Sequence, residues 1–175
     1  MSSPHRLILL RHAKSSWKDT SLPDDERPLA GRGRRALHLV AKYLRGTGLT
    51  VDLMLCSPSR RTRQTLDGVR AGLRGQPEVR FVREIYEATA DDLLEILHQV
   101  EDRYRTVLLI GHNPGFEDLA DGLVSSGDDE ALARLREGFP TAALAALSCD
   151  SDWSNLTWGT ARLDSYVRPR DLAHG

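Results

Sequence analysis

Three stretches of this chain are nearly unbroken aliphatic runs that stop abruptly at polar groups: RLILLR (6–11), VDLMLCS (51–57) and TVLLIGH (106–112). A strand with one wet face alternates apolar and polar residues, so unbroken runs of this length predict strands buried on both faces. EVRFVRE (78–84) is a half-exposed, alternating version. Helical patterns lie between them. In 33–46, Leu37, Val40, Ala41 and Leu44 recur at i, i+3, i+4 and i+7, with Gly46 and Gly48 suited to the C-terminal end. SRRTRQTLDGVRAGL follows the second run, and TADDLLEILHQVEDRY opens on a Thr89 cap with two aspartates in its first turn. PGFEDLADGLVSS reads as a further helix, AALAALSC (142–149) and TARLDSYVR (160–168) as strands, and 127–140 and 150–158 as loops. Strand and helix in alternation predict an α/β fold, a three-layer α/β/α sandwich with a mostly parallel central sheet.

The 175 residues suit a single domain spanning 1–175, with 40% hydrophobic and 28% charged residues. A formal charge of −1 offers no global attraction to nucleic acid or an anionic membrane, so any basic site is local. No stretch reaches the roughly 20 apolar residues of a membrane span, and the N-terminal apolar run lacks signal-peptide length and a cleavage site. Cys56 and Cys149 stand far apart in apolar surroundings and read as buried free thiols. Together these predict a cytoplasmic protein.

In such sheets ligands bind beyond the carboxyl ends of the strands. Those ends deliver Arg11–His12, then Ser57 with Arg60, Arg61 and Arg63, then Glu84, then Gly111–His112. Like charges crowded at one strand end need a negative partner, either a structural carboxylate or a ligand. A histidine nucleophile needs one neutral ring nitrogen facing its substrate and the other held as a donor. Nearby cations keep such a ring neutral by lowering its pKa. The arginines are forked donors suited to phosphate oxygens, with Arg61 and Thr65 on one helical face and Arg63 read as a solvated charge. Ser57 serves either the ligand or the turn. Glu84, at a strand exit, is a better proton donor than Glu87.

Two other readings fit less well. GRGRRA (31–36) has dinucleotide-type glycine spacing, but the preceding stretch, PDDERPLA, is a loop and not an apolar strand. Its arginines lack the interleaved aromatics of a nucleic-acid surface. His12, His112, Asp118 and some of Asp24, Asp25 or Glu26 could be drawn around a metal ion such as zinc or manganese. However, the helical i, i+3 or i, i+4 ligand pairs are missing, and Arg11 and Arg61 repel a cation. No metal or other cofactor is expected.

LLRHAKS, RPLAGRGRRA, CSPSRRTRQT and LIGHNPG together resemble the histidine phosphatase superfamily, over nearly the whole chain, and most closely its small SixA-type phosphohistidine phosphatases. The resemblance implies a phosphoglycerate mutase-like fold, with His12 as nucleophile, Arg11 and Arg61 as phosphate-clamping arginines and His112 as the second pocket histidine. It puts Glu84 near the place of the acid in phosphomonoesterase members. Ala13 replaces the usual glycine after the histidine, which crowds the backbone, and Ala30 replaces a capping threonine. The implied reaction passes through a phosphohistidine on His12, with substrate oxygens among Arg11, Arg61, His112 and Ser57. The substrate is then a phosphorylated protein, phosphohistidine above all, or a small phosphorylated metabolite if Glu84 serves as general acid. A non-catalytic phosphate-binding module is the third reading.

Overall fold

The computed structural model describes residues 4–173. The chain runs β1 (His5–Arg11), α1 (Gly31–Thr47), β2 (Leu53–Cys56), α2 (Arg60–Arg70), β3 (Glu78–Phe81), α3 (Ala90–His98) and β4 (Thr106–Gly111). It continues through α4 (Gly115–Leu123), β5 (Val124–Gly127), α5 (Asp129–Arg136), β6 (Leu144–Cys149), β7 (Ala161–Val167) and α6 (Pro169–Leu172). Among the described residues seven strands form one sheet in the order β3-β2-β4-β1-β6-β7-β5. Only β6 runs against its neighbours, antiparallel to both β1 and β7, so the sheet is mostly parallel.

The apolar runs occupy its centre for the expected reason. In β1, Leu7 and Leu9 face a core shared with α3 and α4, while Ile8 and Leu10 face another shared with α1 and α2. All four are fully buried, and each contributes about 2 kcal/mol of transfer free energy, so a charge at any of them would split one of the cores. Helix α1 ends where Gly48 adopts φ 68, the left-handed cap that glycine takes without a Cβ penalty. Thr89 and Asp92 form a reciprocal capping box at the start of α3.

The C-terminal third departs from expectation. The helix expected over 114–126 stops at Leu123, and the next four residues pair in parallel with β7 as β5. The stretch 127–140, expected to be a loop, contains α5, capped by the Asp128 side chain accepting from the Ala131 amide. Ala131 and Leu135 alone of α5 are buried, one i, i+4 pair, too short a stripe to stand out in the sequence. Both cysteines are buried and free, and burial pushes their thiols up to about 12. Among the described residues no helix is long and apolar enough to cross a membrane.

Candidate active site

The carboxyl ends of three adjacent strands open at one place. β1 and β4 pair in register through Arg11 and Gly111, and β2 lies on the far side of β4. His12 therefore leaves β1 beside His112 leaving β4, its amide donating to the Gly111 carbonyl at 3.0 Å, and the two imidazole centres lie 5.4 Å apart. Thr65 ties the loop after His12 to α2: its hydroxyl accepts from the Ala13 amide at 3.0 Å and donates to the Arg61 carbonyl at 2.7 Å. Gly33 brings α1 onto the same loop, where a Cβ would stand 2.2 Å from the Lys14 carbonyl oxygen. The second glycine of GRGRRA thus serves close backbone packing. The Ala13 methyl is fully buried in the core against α1 and α2. Ala30 caps α1 without a side-chain hydrogen bond.

The hydrogen bonds set both tautomers. His12 Nδ1 lies 2.8 Å from the Ala13 carbonyl, which can only accept, so Nδ1 carries the hydrogen and Nε2 keeps its lone pair. The Arg61 guanidinium reaches His112 Nδ1 at 3.4 Å as a donor, so His112 carries its hydrogen on Nε2 and donates to Ser57 Oγ at 2.7 Å. Burial lowers the His12 pKa to about 4, aided by the Arg61, Arg11 and Arg27 charges against the bond to Ala13. Burial, then His12 and Arg61, bring His112 to about 3. Both rings are neutral at pH 7.

The arginines are tethered at one end and free at the other. Arg11 donates through Nη1 to the Phe139 carbonyl at 3.0 Å, and burial lowers its pKa. Arg61 donates to the Asp24 carbonyl at 2.7 Å and to its carboxylate at 3.0 Å. Among the described residues the Nε–H of each is buried and has no partner. A buried donor without an acceptor costs about 1–3 kcal/mol, and the Arg11 and Arg61 charges both act on His12, so the cluster is a cationic site suited to an anion. Asp24 answers part of the sequence's demand for negative charge. Its carboxylate takes hydrogen bonds from Tyr86, Arg61 and Arg27, which hold its pKa at about 2 against desolvation.

Residues 7–118 match the model of the histidine phosphatase superfamily, branch 1. The chain belongs to the histidine phosphatase superfamily. An uncharacterized protein of Mycobacterium tuberculosis is 37% identical over 163 residues, covering 92% of this chain and 100% of that one. The structure of a proposed phosphohistidine phosphatase SixA from Nakamurella multipartitia superimposes with a TM-score of 0.82 at 29% identity, covering 96% of this chain and 98% of the other. A proposed SixA from Agrobacterium tumefaciens gives 0.78 at 29%, covering 95% and 99%. These likenesses make the chain a phosphatase with the phosphoglycerate mutase-like fold.

Within this histidine phosphatase fold His12, Arg11, Arg61 and His112 gather at one point. Ser57 stands behind them, fully buried, with its hydroxyl taken up by His112. The start of α2 is capped instead by Ser59, which accepts from the Thr62 amide. Glu84 is placed elsewhere. β3 ends at Phe81, a 3₁₀ turn over Arg83–Ile85 follows, and Glu84 lines an exposed groove with Asp92, Glu95, Ile96 and Gln99. The residue of that segment that reaches the cluster is Tyr86, edge-on to His112 at 5.3 Å between ring centres. Glu87 is exposed.

Arg27, Thr65 and Tyr86 have no functional role in the sequence pattern, and Asp24 enters it only as one of several acids that could be drawn around a metal ion. A signal existed for Asp24, since crowded cations called for a carboxylate and PDDERP offered three acids. Asp24 is engaged by two guanidinium groups, an environment that competes with any metal ion. Among the described residues, the group with metal-ligand spacing is His5, Asp102 and Asp152. His5 begins the strand whose other end carries His12.

Proposed function

We propose that this protein is a histidine phosphatase that hydrolyses phosphohistidine on a protein through a covalent phosphohistidine intermediate on His12. The observation that carries the reading is the uncommitted Nε2 lone pair of a buried His12 whose ring lies 5.4 Å from that of His112 and within reach of the Arg11 and Arg61 charges. The substrate phosphoryl oxygens lie against the Arg11 and Arg61 guanidinium groups, with His112 beside them. The Nε2 lone pair attacks phosphorus in line as the phosphorus–nitrogen bond to the substrate imidazole breaks, its electron pair leaving with that protonated ring. Water then attacks the phosphohistidine, releasing inorganic phosphate and restoring His12. Charge spread over the equatorial oxygens is stabilised by fixed cations that need no rearrangement. The single domain works in the cytoplasm, where both thiols stay reduced.

The leaving group decides between protein phosphohistidine and a small phosphomonoester. An alkoxide needs a proton in the transition state, whereas an imidazole nitrogen can leave already protonated. Glu84 faces the groove beside α3, and Asp24, with a pKa of about 2, is ionised at any working pH. Neither favours ester hydrolysis.

The test is turnover of a phosphohistidine protein beside a panel of small phosphomonoesters, with Glu84→Gln as control. The expected outcome is hydrolysis of phosphohistidine at rates the substitution leaves unchanged. Ester hydrolysis that is faster than phosphohistidine hydrolysis and collapses in Glu84→Gln would reinstate the phosphomonoesterase reading.

A further inference from the structure

Among the described residues Trp17 is the most exposed large apolar side chain, 67% accessible. It belongs to neither core. It lies in the loop that begins at the proposed nucleophile and returns to the sheet side through Arg27–Leu29. An exposed ring on a loop is usually loose, but the structure holds this one. The Arg27 guanidinium carbon sits 3.5 Å from the Trp17 ring centre, a stacked cation–π geometry. The backbone on either side is fixed, with the Ser16 amide donating to the Pro28 carbonyl at 2.8 Å and Ser15 bridging Leu29. The Lys18 amide donates to Ser16 Oγ at 3.2 Å.

The same guanidinium belongs to the active-site network. Arg27 donates to the Asp24 carboxylate and to Ser15 Oγ, Asp24 takes Arg61, and the Arg27 charge is felt by His12. Trp17 is thus continuous with the cradle through one arginine and still offers its ring to solvent. An exposed tryptophan held by stacking and joined through Arg27 and Asp24 to the catalytic cluster has the properties of an interface anchor, giving large apolar contact with little side-chain entropy left to lose.

We propose that Trp17, stacked on Arg27, is the docking anchor for an apolar side chain of the protein that carries the phosphoryl group. The proposal rests on the protein-directed reading above and adds the residue that grips the polypeptide. It also assigns the sequence preference, which is for an apolar residue next to the phosphohistidine.

The test compares three substrates in the full-length protein: a phosphohistidine peptide flanked by leucines, the same peptide flanked by serines, and the phosphoramidate ion. The unsubstituted protein is expected to favour the leucine peptide. Trp17→Ala is expected to lose about tenfold in kcat/KM on that peptide, mainly through KM. It should no longer distinguish leucine from serine, and it should hydrolyse phosphoramidate as before. Trp17→Phe should keep most of the preference. An equal loss on phosphoramidate would mean that Trp17 acts only by covering Arg27, and would overturn the anchor. So would a leucine preference that survives Trp17→Ala. Turnover of phosphoramidate but of neither peptide would remove the protein-directed reading together with the anchor. Turnover of none of the three would bring down the phosphatase reading itself, and the anchor with it.

Discussion

Strand β1 has a buried histidine at each end, His5 at 3% exposure and, one residue past its other end, His12 at 7%. Both His5 nitrogens lie within hydrogen-bond reach of a carbonyl, Nδ1 at 3.0 Å from Ser151 and Nε2 at 3.2 Å from Asp102, and its ring packs on Trp153. His12 has one nitrogen on a carbonyl and leaves the other uncommitted among arginines that also have free donors. Burial is nearly the same at the two ends, so burial alone does not make a site. The difference is unspent hydrogen-bonding capacity, concentrated where the parallel strands end.

Exchanging the histidines one at a time would break this contrast most directly. His12→Ala is expected to lower turnover of phosphohistidine by about 10⁴-fold or more, because no other group supplies the nucleophile. Its melting temperature should stay near that of the unsubstituted protein. A residual rate within tenfold would place the nucleophile elsewhere. Arg61→Ala should cost about 10²–10³-fold, the usual loss for one preorganised donor to transition-state charge. Steady-state kinetics on phosphoramidate would check it, and a loss confined to KM would mean that Arg61 only binds.

Acid sharpens the same comparison. The folded-state pKa values of His12 and His112, about 4 and about 3, lie below the unstructured value of 6.5. Between those limits the unfolded chain binds protons that the folded chain refuses. The stability this pair contributes is complete above 6.5 and is lost as pH falls toward 4 and then 3, on the order of 3 kcal/mol for His12 alone. Denaturant melts from pH 7 to 4 should show the slope, and His112→Gln should reduce it. Activity should fall only near pH 4, as His12 protonates. At the quiet end, His5→Gln should cost about 2 kcal/mol through its lost hydrogen bonds and ring packing, with kcat unchanged. A fall in kcat would mean that the two ends of β1 are coupled.

The elements that made this contrast visible in the sequence were the ones buried on both faces. Between Arg6 and Arg11 and between Thr106 and His112 these runs hold no polar residue, so their charged ends stand out against the run before them. β5 and α5 bury only part of their length, and their patterns blend into ordinary polar loop. Glu84 shows a different failure. An alternating strand was read through to its last residue, but pairing with β2 ends at Phe81 and a tight turn follows. The side chain then points by turn geometry, and Tyr86 takes the inward place. Asp24 could be called for but not chosen, because Asp24, Asp25 and Glu26 have the same chemistry and only the loop's course decides which one meets Arg61.

Asp24 yields the smallest predicted effect and a pointed one. Its carboxylate half-fills the role of an anion, engaging Arg61 and Arg27, while among the described residues the Arg11 and Arg61 Nε–H groups have no partner. An arriving phosphate dianion shares Arg61 with a fixed negative charge, which weakens binding of substrate and product alike. Asp24→Asn keeps the carbonyl that holds Arg61 Nη1 and removes the charge together with one accepting oxygen. Inorganic phosphate should then inhibit at about three- to tenfold lower concentration, the size expected of one partly exposed charge near the site. If inhibition weakens instead, Asp24 acts mainly by aiming Arg61, and the cradle needs its carboxylate as a tether. The direction of the change in the phosphate inhibition constant decides between these two roles, and Tyr86→Phe, which removes one hydrogen bond to the same carboxylate, should shift it less.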